Sequence, residues 1–164
     1  MSPPERFAFS YDVRVQWGEV DRMGHVNNVV YGRYIESARC EYFAAVGVSD
    51  APSMAPPPSN LVLPRTVPDE IGPIVARLAI DYRRPAYHPD TITVHVATTR
   101  FGSTSATHRY VLTSKEQGDA IVAEAEVVWV MLDYEKNAPV PIPDALRARI
   151  VELEASAGRE VRGA

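Results

Sequence analysis

Apolar and polar side chains alternate from Tyr11 to Trp17. Tyr11, Val13, Val15 and Trp17 fall on one side, Asp12, Arg14 and Gln16 on the other. This period of two predicts a half-buried strand. The rhythm changes after Asn28, where Tyr31, Tyr34, Ile35, Ala38, Tyr42, Ala45 and Val46 recur every three or four residues. They lay one stripe along a helix running from about Asn28 to Val46. Asn27 or Asn28 can cap its start, and Gly47 can end it in the left-handed region. Gly32 costs this helix up to about 1 kcal/mol relative to alanine, which predicts close packing there. Alternation returns at Ile74 and predicts four strands: Ile74 to Tyr82, Thr91 to Phe101, Ser105 to Ser114, and Ala120 to Asp133. Ile74, Ala76, Leu78, Ile80 and Tyr82 share one face of the first; Ile92, Val94 and Val96 point inward from the second. Arg83-Arg84-Pro85, His88-Pro89-Asp90, Gly102-Ser103 and Gln117-Gly118-Asp119 punctuate them. Val127 to Leu132 is apolar on both faces and belongs inside the sheet. Asp144 to Ala155 closes the pattern as a second helix, with Leu146, Ile150 and Leu153 on one side.

The rest reads as connection. Residues 1–9 form a tail, with prolines at positions 3 and 4. Val48 to Asn60 is rich in proline, serine and alanine and holds neither a regular helix nor a central strand; a connection of this length serves function or moves. Leu61 to Leu63 is a short candidate strand. A single domain over 10–156 follows, with a second tail over 157–164. Strand, helix, four antiparallel strands and a last helix make an α+β fold, a helix on one face of an antiparallel sheet. The half-apolar second face needs cover, which a second subunit supplies.

Composition narrows the function. The 164 residues suit one domain, and 46% hydrophobic with 23% charged residues is a soluble globular balance. The net charge of -4 argues against a nucleic-acid partner. No apolar run reaches the ~20 residues that span a bilayer, so no membrane partner is expected. Without a signal-peptide pattern at the start, the expected location is the cytoplasm. Cys40 is the lone cysteine, so no intrachain disulfide forms. It reads as a small packing residue.

Candidate chemistry gathers in Trp17 to Asn28, WGEVDRMGHVNN, where strand gives way to helix. A carboxylate just ahead of a helix N-terminus can act on a group held by the free N–H donors. Asp21 stands there; aspartate at such a turn also caps backbone. His25 fits proton transfer or a structural bond to a carbonyl. Asp21 and His25 without a third ligand are poor zinc evidence. No serine occupies a strand-to-helix nucleophile elbow, which disfavours a Ser-His-Asp triad.

The chain resembles the hotdog-fold acyl-CoA thioesterases of the 4-hydroxybenzoyl-CoA thioesterase type. WGEVDRMGHVNNVVYGRYIESAR, IDYRRPAYHPD, TTRFGSTSATHRYVL and EAEVVWVMLDYEKNAPVPIPDALR carry the likeness in family order across nearly the whole chain. The resemblance implies a long helix wrapped by a curved antiparallel sheet, in homodimers that assemble into homotetramers, with acyl-CoA (or an acyl-carrier protein) at the subunit boundary and no cofactor or metal. It carries the catalytic carboxylate to Asp21. Glu19 stands where the family commonly has aspartate. Asn28 and His25 complete the catalytic set as helix-start donor and proton carrier. Asn27, Tyr31 and Tyr34 are candidates for orienting water or lining the acyl pocket. Arg83, Arg84 and Arg100, with the Gly102, Ser103, Thr104 and Ser105 turn, are candidates for the CoA phosphates, because an acidic chain needs a local basic patch to hold them. A non-catalytic module binding acyl thioesters is the alternative. A hydratase-type enzyme of the same fold would carry Gly-Asp-x-Asn-Pro-x-His, a string this chain lacks.

Overall fold

The computed structural model describes residues 6–48 and 66–164. Strand β1 spans Phe9–Arg14 and helix α1 spans Asn28–Ala45. Strands β2 (Ile71–Tyr82), β3 (Thr91–Phe101), β4 (Ser105–Ser114), β5 (Ala120–Asp133) and β6 (Ala138–Pro139) precede helix α2, Asp144–Ser156. The sheet order is β1-β3-β4-β5-β2, with β6 on the end of β5 and antiparallel pairing throughout. The expected Leu61 to Leu63 strand and most of the proline-rich connection lie outside the described residues.

Helix α1 forms where the stripe predicts. Tyr31, Tyr34, Ile35, Ala38 and Tyr42 are buried against the sheet. Ile92, Val94 and Val96 of β3, Tyr110 and Leu112 of β4, and Val127, Trp129 and Met131 of β5 meet them from the sheet. Gly47 ends the helix at φ 82°, a conformation that suits glycine because it has no Cβ. The cap is Asn27, whose Oδ1 accepts from the Val29 N–H at 3.2 Å. Asn28 is the first helical residue. Gly32 is not forced by crowding, since an added Cβ would meet only Leu78 Cδ2, at 3.9 Å.

Two boundaries depart from the alternation. β1 stops at Arg14, and Trp17 begins a single 3-10 turn with its side chain 80% exposed. In β2 a bulge falls between Val75 and Arg77. The extra residue reverses the facing, so Leu78, Ile80 and Tyr82 pair opposite the inward Val127, Ala125 and Ala123 while Ile74 pairs opposite the outward Val130.

The outer sheet face is half ionic and half apolar: Val128, Val130 and Leu132 of β5 point outward beside a set of ion pairs. Arg77 pairs with Glu126, Arg83 and Arg109 share Glu124, and Lys115 pairs with Asp12. The exposed large apolar side chains of the sheet, Ile74, Val75, Leu78 and Tyr82, lie on the edge strand β2. The demand for apolar cover is therefore at an edge. Among the described residues no helix is long and apolar enough to cross a membrane.

Candidate active site

The chain leaves β1, makes the 3-10 turn and folds a tight hook before α1. Val20 bridges Val26, the Asp21 N–H donates to His25 O (3.0 Å), and the Gly24 N–H donates to Asp21 O (3.0 Å). Gly24 sits at φ 83°, which the hook requires. Asp21 Oδ1 accepts from the Met23 N–H at 2.7 Å. The turn role foreseen for aspartate is therefore real, and it occupies one carboxylate oxygen. Among the described residues no protein donor reaches Oδ2.

Glu19 locks the hook onto α1. It receives the Tyr34 hydroxyl at 2.5 Å and the Gln16 N–H at 2.9 Å on Oε2, and it pairs with Arg33. Its carbonyl accepts the Asn27 N–H at 2.9 Å. Burial pushes the Tyr34 phenol up to about 12, the nearby Arg33 only partly opposing it. Tyr34 is thus a neutral donor to Glu19. It is fully buried and lies off the cleft wall.

The opposite wall comes from the end of β2. Tyr82 donates to Asn28 O (2.9 Å), and its ring meets Tyr31 edge-on with centroids 5.2 Å apart. A second bulge at Val122 of β5 leaves that carbonyl free to accept from the N–H groups of both Arg83 (2.8 Å) and Arg84 (3.1 Å). The Val26 N–H donates to Ala86 O at 2.8 Å. Between these walls lies a cleft of about 390 Å³. Asp21, His25, Asn28, Tyr31, Arg83 and Arg84 line it, with Val26, Tyr82 and Pro85.

The start of α1 offers fewer donors than its sequence suggests. The Asn27 N–H is taken by Glu19, the Val29 N–H by the cap, and the Val30 N–H by Asn27 O at 2.9 Å. The Asn28 N–H keeps no protein acceptor among the described residues. Of the two asparagines, Asn27 is the cap and does not line the cleft, while Asn28, the expected helix-start donor, does.

The remaining candidates stand elsewhere. Arg100 borders a different cavity, on the outer face. The Gly102-to-Ser105 turn is closed by a Gly102 N–H to Ser105 O bond of 2.7 Å. Arg147 of α2 reaches the Gly102 and Ser103 carbonyls, and the Ile142 and Met131 N–H groups take Ser103 O and Thr104 O. Within one protomer this turn is held by α2 and its approach, away from the cleft. Sequence reasoning missed Tyr82 as a wall residue; its position immediately before Arg83-Arg84 was the available signal.

A family profile described as the thioesterase-like superfamily matches residues 15–150. The chain belongs to the thioesterase-like superfamily. A thioesterase of this kind from Thermus thermophilus, solved with coenzyme A and zinc, is 30% identical and superposes with a TM-score of 0.72 over 96% of this chain and 99% of that one. The DHNA-CoA thioesterase of Staphylococcus aureus shares the fold at 15% identity, with a TM-score of 0.71 over 93% and 96% of the two chains. The long-chain acyl-CoA thioesterase FadM of Escherichia coli is 23% identical over 141 residues, 86% of this chain and 96% of FadM. The α+β architecture is the hotdog fold, and the enzyme is a thioester hydrolase. No three His, Cys, Asp or Glu side chains among the described residues converge as metal ligands.

Proposed function

We propose that this thioesterase hydrolyses an acyl- or aryl-CoA to the free acid and CoA in the cleft between Asp21 and the start of α1. The observation that carries the reading is the meeting of an uncommitted carboxylate oxygen, an unpaired helix-start N–H and two arginines around one opening. The coenzyme A bound to the Thermus thermophilus relative and the substrate named for FadM support CoA as the carrier.

In this reading the thioester carbonyl lies against Asn28. Its N–H and the positive end of α1 hold the oxyanion as the tetrahedral centre forms. Asp21 Oδ2 either takes the proton of an attacking water or adds to the carbonyl carbon itself. Either way the C–S bond breaks, the thiolate leaves and is protonated, and one water is consumed. His25, on the same wall, carries the proton to the departing sulfur. Arg83 and Arg84 meet the CoA phosphates, and Tyr31 with Tyr82 packs the acyl end. A second copy of the chain completes the site by pairing along the exposed edge of β2, the strand that also brings Tyr82 to the cleft.

The test is thiol release from a panel of acyl- and aryl-CoAs. Asp21→Asn preserves the Met23 bond to Oδ1 but removes the charge, and turnover should fall by about 10²- to 10⁴-fold with the fold intact. Turnover unchanged in this variant would place the reacting carboxylate elsewhere. Single turnover in ¹⁸O-water separates the two routes: an anhydride opened at the Asp21 carbonyl leaves the label on Asp21 and none in the acid, whereas an activated water puts it in the acid.

A further inference from the structure

A second cavity, of about 500 Å³, lies on the outer sheet face, away from the side that carries α1. Four arginines border it: Arg100 at the end of β3, Arg109 on β4, and Arg159 and Arg162 from the segment after α2. Glu126 and Glu160 are the acidic groups on its wall, and Glu126 is already paired with Arg77 at 2.5 Å. Arg109 and Arg159 are already matched by Glu124 and Glu154, so the unmatched positive charge on this concavity is that of Arg100 and Arg162.

The backbone builds this concentration actively. The segment after α2 adds itself to the edge of β3 beyond the end of β1. The Phe101 N–H donates to Arg162 O (2.7 Å), the Arg162 N–H donates to Thr99 O (3.1 Å), and Arg100 and Arg162 stand side by side as a parallel bridge. Gly163 at φ 75° lets the chain approach, since a Cβ there would lie 2.6 Å from Phe101 O. Two like charges held at neighbouring strand positions repel. No acidic side chain among the described residues pairs with either Arg100 or Arg162. An anion between them would turn that repulsion into attraction, and the planar guanidinium fork suits phosphate oxygens in pairs. The apolar side chain of Val128 supplies a floor beside the charges.

We propose that this cavity is a binding site for a diphosphate-bearing small molecule of nucleotide size, separate from the thioester cleft. The site bears on the cleft through Glu124, whose Oε1 meets Arg109 at 3.3 Å and whose Oε2 meets Arg83 at 2.9 Å. An anion that draws Arg109 outward leaves Glu124 to Arg83 alone.

Thermal shift and calorimetric titration of the purified protein with pyrophosphate, ADP and coenzyme A test the site. Pyrophosphate and ADP should both bind and raise Tm, which assigns recognition to the diphosphate. Arg162→Glu should weaken both by about tenfold or more. Arg149→Glu, a charge reversal on α2 outside both cavities, should leave them unaltered. Arg109→Gln gives a second reading should the first variant disturb the terminal strand. Equal binding by wild type, Arg162→Glu and Arg109→Gln overturns the proposal. So does binding lost equally in Arg149→Glu, or a response to coenzyme A with none to pyrophosphate or ADP.

Discussion

Glu19 directs its carboxylate at other side chains, and that contrast with Asp21 organises the site. Two acidic residues separated by one position are visible in the sequence, but their division of labour is not. It depends on which carboxylate meets Arg33 and Tyr34, residues 14 and 15 positions downstream on α1. The extra methylene of glutamate, relative to aspartate, gives it the reach to the helix. Asn27 and Asn28 were similarly indistinguishable as letters. Capping is decided by the non-helical backbone of Asn27, at φ -60° and ψ 137°. In the proposed reaction Glu19 is accordingly a positioning residue. Glu19→Ala should cost about 2 kcal/mol of stability, the scale of a hydrogen bond to a charged group. It should also lower kcat more than it raises KM, because the hook carrying Asp21 loses its tether while Arg83 and Arg84 stay in place. Denaturant unfolding and steady-state kinetics on one preparation read both effects. Glu19→Asp, which keeps charge but loses reach, should recover little.

At the scale of elements, β3, β4 and β5 were legible to their ends because turn residues bracket them, although bulges at Thr99 and Val122 interrupt the alternation of β3 and β5. β2 was legible as a strand but not in its facing, since no residue type announces a bulge. Nor did the sequence show that β2 closes on β5 rather than on β3. The β4–β5 pair also hides a polar device inside the core. Trp129 Nε1–H donates to His108 Nε2 at 2.8 Å, so the His108 proton sits on Nδ1, 3.1 Å from the Tyr110 hydroxyl. Burial, with a smaller effect from Arg39, drives the His108 pKa down to about 3 from an ordinary 6.5. The folded protein thus keeps this imidazole neutral where the unfolded chain would protonate it. Its contribution to stability is fully present above pH 6.5 and drains away as pH falls toward 3. Unfolding free energies measured between pH 7 and pH 4 should fall steadily in the wild type. His108→Gln, which can still accept from Trp129, should start less stable at pH 7 and show a flatter decline.

For the whole molecule, the question is where one protomer is unfinished. Alternation on paper suggested that the second sheet face needed cover, because a list of strands cannot show which outward residues will find ionic partners across the sheet. In the fold Arg77, Arg83, Arg109 and Lys115 pair with Glu126, Glu124 and Asp12 over part of that face, while Val128, Val130 and Leu132 stay apolar beside them. The unsatisfied surface is β2: a 12-residue edge strand with Ile74, Val75, Leu78 and Tyr82 each 39–48% exposed. A long apolar edge of this kind is a template for pairing, and two copies meeting antiparallel satisfy it symmetrically. Leu78 sits between the edge and Gly32 of α1, four residues before the cleft residue Tyr82. Leu78→Lys should weaken self-association, because a charge placed on the edge opposes pairing with its own copy. Light scattering across a dilution series should show dimer for the wild type and monomer for the variant. If the partner completes the cleft, specific activity should fall in step with the dimer fraction and recover at high protein concentration. A variant that is monomeric and fully active would confine the thioester chemistry to a single chain.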